Sequence, residues 1–248
     1  MSLTVISGWG PNCWAQYAHY FVETFERYWP AEVPLISYVE TFVPECSRAT
    51  LRWIRQCEGA TEFIDRHRDV AERNGRAANR NWKEKHKIAG YNFRFDAVKF
   101  SRQAFIPYHA ALNAETEYLA WFDADVVFTS RVDPAWIESM LPKDSHIAYI
   151  DRKNYHPDIG FQLYRLPQAL PFLRAFREFY ASDEVFALPE WHSAHVWRAA
   201  LWRSGVASIN LTPNASSDAW PTSPLAKFSI HRKGPRKYKP WTINNAAA

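Results

Sequence analysis

The segment that most constrains the fold of this chain is Tyr118–Phe122, in which all five residues are apolar or aromatic. An apolar run without alternation predicts a strand buried on both faces, as in the centre of a parallel sheet. Two acids separated by one residue, Asp123 and Asp125, follow at once. Open α/β sheets bind ligands beyond the carboxyl ends of their strands, so we expect these acids at a ligand site.

The rest of the pattern predicts an α/β fold. A β-branched strand at residues 3–7 leads into a glycine-proline turn, a helix follows to about residue 28, and residues 33–39 form a second strand. Residues 47–80 are predicted to be polar and helical. Later helices are predicted at residues 95–108, from residue 134, and at residues 167–182 and 193–204, and later strands at residues 146–150, 159–166, 206–211 and 228–230. The expected result is one α/β domain over residues 1–248, with a mixed, mostly parallel central sheet flanked by helices.

Composition narrows the class of protein. Hydrophobic residues make up 47% of the 248 residues and charged residues 23%, which excludes wholesale disorder. No stretch approaches the roughly 18 apolar residues that span a bilayer, and the first ten residues lack the basic region of a secretory signal. Cys13, Cys46 and Cys57 are odd in number and lack zinc-site spacing. We therefore expect a cytoplasmic protein.

The positive charge is concentrated in two segments, although the net charge is only +4. Residues 66–102 contain eleven Lys or Arg against four acids, and residues 227–239 contain six against none. If the segments meet in space, they predict an anionic partner, which could include an anionic membrane surface. Solvated helix faces and a disordered tail would explain them without a partner.

The acids after the buried strand and the second basic segment both suggest metal and phosphate chemistry. Two carboxylates in a strand-end turn can converge on a hard divalent cation that bridges a diphosphate, although short acidic pairs also occur as surface acids or helix caps. His231 follows a predicted strand, and a neutral imidazole can complete such a metal shell. Gly234 would let the backbone approach a phosphate, and the neighbouring lysines supply charge for it.

Together the two segments resemble the metal-dependent glycosyltransferases of the GT-A fold. Asp123 and Asp125 match their D-x-D motif, which holds a cation on the diphosphate of a nucleotide sugar. The C-terminal segment is similar to the H-x-x-G-x-x-K-P-W signature of family-8 retaining enzymes. The matching residues are His231, Gly234, Lys239, Pro240 and Trp241. Four residues rather than two separate the glycine from the last lysine, so Lys237 and Lys239 are both candidates for the phosphate contact.

The resemblance implies that residues 1–125 bind the nucleotide sugar and that residues 126–248 form an acceptor half with a basic tail. It implies transfer of a sugar, with UDP-hexose as the expected donor, to an acceptor hydroxyl with retention of configuration. The implied ligands of Mn²⁺ or Mg²⁺ are Asp123, Asp125 and His231. The implied donor-binding residues are Trp9, Lys99, Arg102, Gly234, Lys237 and Lys239. Trp9 would either stack on the base or fill the core.

Two later segments lie where such enzymes place sugar and acceptor contacts. They contain Asp158, Glu190 and His192, which are therefore the expected catalytic residues. A carboxylate there could orient the donor sugar, act as a base or stabilise developing positive charge. A turn residue, a helix-start acid and a cap neighbour are the alternatives. Ser193 stands where several relatives carry an acid.

Other classes of function stay open. A nucleotidyltransferase that makes nucleotide sugars also uses metal-bound acids, but residues 8–11 match its glycine-rich loop poorly. A nucleic-acid-binding module would explain the basic segments alone. For a transferase, the acceptor is either a saccharide or lipid-linked glycan, made at an anionic membrane face, or a hydroxymethylated pyrimidine in phage-type DNA. The expected setting is a bacterial cell or a virus-infected host cell.

Overall fold

The computed structural model describes residues 2–76, 90–215 and 217–241. The strands in these ranges are β1 (Leu3–Trp9), β2 (Leu35–Val39), β3 (Ala49–Trp53), β4 (Tyr118–Phe122), β5 (Val126–Phe128), β6 (Ile147–Ile150), β7 (Asp158–Arg165), β8 (Ser208–Asn210) and β9 (Ser229–His231). The α-helices are α1 (Pro11–Cys13), α2 (His19–Tyr28), α3 (Ala60–His67), α4 (Ala97–Phe100), α5 (Arg102–Leu112), α6 (Pro134–Ser139), α7 (Leu170–Ala181) and α8 (Ser193–Ser204). A π-helical stretch, Trp14–Ala18, joins α1 to α2.

Seven strands form one mixed sheet in the order β3-β2-β1-β4-β7-β6-β8. The strands around β1 are parallel, since β1 pairs in parallel with β2 and β4, and β2 with β3. β7 is antiparallel to β4 and β6, and β8 returns parallel to β6. The predicted fold class, a mixed and mostly parallel sheet flanked by helices, is confirmed.

Strand β4 is buried on both faces, as its unbroken apolar sequence predicts. Leu119, Ala120 and Phe122 are fully buried, and Trp121 is 3% exposed. The Phe122 ring packs against the rings of Phe128 and Phe161, at centroid distances of 5.3 and 4.9 Å. Burying one such side chain contributes about 1.5–3 kcal/mol. The packing of β4 on both faces therefore fixes the position of the acids that follow it.

The chain forms two compact units. The first comprises Met1–Trp53, Asn113–Ala169 and Val206–Ala248 and contains all the strands above. Its main core lies between the sheet and helices α2 and α6. The second unit comprises Ile54–Leu112 and Leu170–Gly205, is helical, and packs around rings that include Phe63 and Tyr180, 5.6 Å apart. The predicted division at residue 125 stays a prediction.

Two strands depart from the sequence-based expectation. Residues 49–53, expected to be helical, form the edge strand β3, which is only partly buried and therefore lacks a strong apolar pattern. Residues 126–128, for which the sequence predicts no element, form β5. Part of the first basic segment, residues 77–89, lies outside the described residues. Within the described ranges, none of the helices combines the length and the hydrophobicity of a membrane span.

Candidate metal and donor site

The D-x-D acids lie in a tight turn between β4 and β5. The Asp123 amide donates to the Gly160 carbonyl on β7 at 2.8 Å, which extends the β4–β7 pairing by one residue. The Val126 amide donates to the Asp123 carbonyl at 3.0 Å and closes the turn. The Trp121 indole also donates to Asp123 Oδ1 at 2.9 Å. The turn is therefore fixed by the sheet itself.

A short two-stranded ribbon brings His231 to these acids. β5 pairs antiparallel with β9, and the register places Val126 opposite His231. The Arg232 amide then donates to the Asp125 carbonyl at 2.9 Å. Residues more than 100 positions apart in sequence thus become neighbours through ordinary strand pairing.

The side chains converge as a metal site requires. His231 Nε2 lies 2.9 Å from Asp125 Oδ1 and 3.8 Å from Asp123 Oδ2. One ligand atom from each of the three residues lies within 4.8 Å of the others. The opposite ring nitrogen, Nδ1, lies 3.5 Å from Asp158 Oδ1 at the start of β7. The structure thus brings Asp123, Asp125, His231 and Asp158 together.

These groups perturb each other's protonation. Burial and the charge of Asp125 raise the pKa of Asp123 to about 6. Burial opposes the ionisation of Asp125, but His231 and Lys237 outweigh it and hold the Asp125 pKa below its usual value. Burial also opposes a charged His231, yet the carboxylates of Asp125 and Asp158 raise its pKa to about 9. A buried cluster of this kind is typical of a functional site.

The basic residues after β9 lie against the acids. Lys237 Nζ is 3.5 Å from Asp125 Oδ2 and 5.0 Å from the centre of the Tyr17 ring. Lys233 forms an ion pair with Asp158. Burial would raise the pKa of Asp158, but His231 and Lys233 together hold it well below its usual value. Gly234 has φ +57°, a left-handed conformation that glycine adopts without strain, and opens the 3-10 helix Gly234–Tyr238. Lys239 is exposed.

The donor set fits a divalent cation. Two carboxylates and an imidazole converge from a rigid turn and a paired strand, and the Nε2 atom of the imidazole faces the acids. Carboxylate oxygens suit Mg²⁺ and Mn²⁺, and a neutral histidine is a common metal ligand. Metal binding would require the proton on His231 Nε2 to leave.

Trp9 is placed in the core of the first unit. Its side chain is 3% exposed, and its ring packs against those of Trp14 and Phe21 at 5.8 and 6.2 Å. Its indole nitrogen is buried without a hydrogen-bond partner in the described structure. Stacking of Trp9 on a nucleobase stays a prediction.

The remaining predicted residues lie in the second unit. His192 precedes α8, and its Nε2 lies 2.9 Å from Glu190 Oε2, while Arg94 pairs with Glu190 Oε1 at 2.8 Å. Lys99 is exposed on α4, and Arg102 donates to the Val98 carbonyl at 2.7 Å. The catalytic and donor-binding roles predicted for Glu190, His192, Lys99 and Arg102 stay predictions.

Sequence reasoning did not single out Gly160, Lys233 or Arg94. Lys233 could have been found, because it lies two residues after the metal-ligand candidate His231 and within the second basic segment. Gly160 and Arg94 depend on contacts that only the folded chain supplies.

Comparison with solved structures shows that the chain has the fold of known glycosyltransferases. It is similar to a glycosyltransferase involved in the glycosylation of the major capsid of PBCV-1, with TM-score 0.55, 16% identity, and coverage of 96% of this chain and 97% of that one. It is also similar to mouse xyloside xylosyltransferase 1, with TM-score 0.52, 8% identity and 92% of each chain covered. No family model and no curated protein sequence matches the chain. The likeness extends over nearly the whole chain.

Proposed function

We propose that this protein is a metal-dependent glycosyltransferase that moves a hexose from a nucleotide diphosphate sugar, with UDP as the expected nucleotide, to a hydroxyl of a saccharide or lipid-linked glycan. The observation that carries the proposal is the convergence of Asp123, Asp125 and His231 on one point, in a fold shared with two glycosyltransferases. Retention of the anomeric configuration follows from the likeness of residues 231–241 to the family-8 signature.

Each residue of the site has a part in this proposal. Asp123, Asp125 and His231 would hold Mn²⁺ or Mg²⁺, and the cation supplies Lewis acidity to the diphosphate when it is bound. Lys237, beside Asp125, adds a positive charge where the diphosphate would leave. Glu190 and His192 remain the predicted groups for the sugar and the acceptor hydroxyl. The catalytic role predicted for Asp158 stays a prediction, and its carboxylate lies against His231 and Lys233.

The first prediction tests the reaction. With Mn²⁺ and a panel of nucleotide sugars, the protein should release a nucleoside diphosphate from one of them, and EDTA should abolish the release. The isosteric Asp125→Asn variant should lose at least about 100-fold in rate, since a bound metal contributes several kcal/mol to the transition state. Asp133→Asn, which changes an acid that caps α6 in the same unit, should keep full activity.

Other products would reassign the protein. Release of pyrophosphate from a nucleoside triphosphate and a sugar phosphate would indicate a nucleotidyltransferase. Metal-independent turnover that survives Asp125→Asn would overturn the metal assignment.

A further inference from the structure

We infer that Asp158 and Gly160, two residues at the start of β7, are positioning residues for the metal site. Gly160 leaves the space for the His231 ring, and Asp158 accepts a hydrogen bond from the Nδ1–H group, so that Nε2 faces Asp123 and Asp125. This deepens the proposed function, because it concerns the same metal site.

The first support is the close approach of the His231 ring to β7. A Cβ atom at position 160 would lie 2.4 Å from His231 Cε1 and 2.8 Å from Nδ1. Gly160 has no left-handed backbone conformation to explain it. Any side chain there would have to displace the ring, which is 4% exposed and also packs on Trp220 at 4.8 Å.

The second support is the orientation of Asp158. Its Oδ2 atom is paired with Lys233, and its Oδ1 atom lies 3.5 Å from His231 Nδ1 and accepts from the Gly160 amide at 3.3 Å. Nδ1 is buried and makes no hydrogen bond at ordinary distance among the described residues. A small rotation of the ring would complete the bond from Nδ1 to Oδ1.

The chemistry of histidine explains why this arrangement matters. An imidazole that binds a metal through Nε2 carries its proton on Nδ1, and an acceptor for that proton fixes both the tautomer and the ring plane. Lys233 holds Asp158 in its ionised form, which is the stronger acceptor. The Gly160 carbonyl also accepts a hydrogen bond from the Asp123 amide. Residues 158–160 therefore position both His231 and Asp123.

The test is a titration with Mg²⁺ or Mn²⁺ alone, without nucleotide sugar, so that its outcome is independent of whether sugar transfer occurs. It is made above the pKa of His231, where protons do not compete for Nε2. Asp158→Ala should weaken metal binding by about 10–100-fold, the usual cost of losing such a partner. The loss of metal affinity in Asp158→Asn should be smaller than in Asp158→Ala, because the amide oxygen still accepts a hydrogen bond. Gly160→Ala should weaken binding at least tenfold, whereas Gly10→Ala, where only the flexible Glu40 side chain must move, should not.

Two further measurements separate positioning from a general structural effect. In a His231→Ala background, neither Asp158→Ala nor Gly160→Ala should weaken metal binding further, since both act through the His231 ring. In the Mg²⁺-loaded protein, ring ¹⁵N shifts should show the proton of His231 on Nδ1, and Asp158→Ala should alter this signature while thermal unfolding in EDTA still shows a folded protein. Wild-type metal affinity in Asp158→Ala, or a loss of the same size in the His231→Ala background, would overturn the inference. If metal affinity is kept and only donor affinity falls, Asp158 contacts the donor instead.

Discussion

His231 is bordered by acids on both ring nitrogens, so its protonation and its metal binding are linked. In the metal-free protein, Asp125 and Asp158 raise its pKa to about 9, above the value of about 6.5 expected for the unfolded chain. A raised pKa stabilises the folded state, and this stabilisation is fully present below pH ~6.5 and is lost as the pH rises through 9. The same proton opposes metal binding, because a ligand nitrogen must be free of it.

We therefore predict that metal affinity increases with pH. Between pH 7 and 9 the apparent affinity should rise by about tenfold per pH unit, since one proton leaves His231 for each metal bound. The change in melting temperature on adding Mg²⁺ should grow over the same range. His231→Gln has no such proton and should lose this dependence while retaining weak binding. A flat profile for the wild type between pH 7 and 9 would contradict the raised pKa.

At the scale of elements, the sequence predicted most of the sheet but not the pairing that builds the site. β4 and α8 lie where their patterns predict, because a buried apolar run and a long helix carry strong local signals. β9 lies within one residue of its predicted range, 228–230, whereas β5 is only three residues long and carries no pattern that predicts it or its pairing with β9. The pairing of β5 with β9 brings His231 to the D-x-D acids. The sequence therefore predicted their proximity only through the family resemblance. β3 was missed because an edge strand with polar residues resembles a surface helix.

The segment after β9 allows a matched comparison of two lysines. The sequence left both Lys237 and Lys239 as candidates for the diphosphate contact, and the 3-10 helix Gly234–Tyr238 turns Lys237 towards Asp125 while Lys239 lies exposed beyond it. We predict that Lys237→Ala weakens donor binding by about 10–150-fold, as expected for loss of a hydrogen bond to a charged group of about 1.5–3 kcal/mol, and that Lys239→Ala changes it less than twofold. Isothermal titration with the nucleotide diphosphate and Mn²⁺ would measure both. The reverse order would assign the contact to Lys239, which precedes Pro240 and Trp241 as the K-P-W end of the signature requires.

For the whole molecule, the arrangement of charge bears on the choice of acceptor. The second basic segment has six Lys or Arg, but several are already committed within the first unit. Lys233 pairs with Asp158, Lys237 lies beside Asp125, and Arg236 pairs with Asp218 at 3.4 Å. Arg232 is 4% exposed. Lys227, Arg236 and Lys239 are exposed, so this segment alone offers a polyanion fewer cations than the roughly six to ten phosphate contacts of a strongly salt-dependent DNA-binding protein. For this segment, the distribution of charge supports the proposed saccharide acceptor.

We accordingly predict weak binding to DNA and no transfer to it. A protein that contacts six to ten phosphates loses about 10³–10⁵ in affinity between 50 and 200 mM salt, because counterions are released. Binding of this protein to a DNA duplex should show a much smaller loss over that range. With a donor verified by nucleoside diphosphate release, sugar should pass to saccharide or lipid-linked acceptors and not to duplexes with or without hydroxymethylated pyrimidines. Steep salt dependence together with transfer to the hydroxymethylated duplex alone would instead make the modified base the acceptor. The reaction would then require extrusion of that base from the duplex, with aromatic side chains stacked on it.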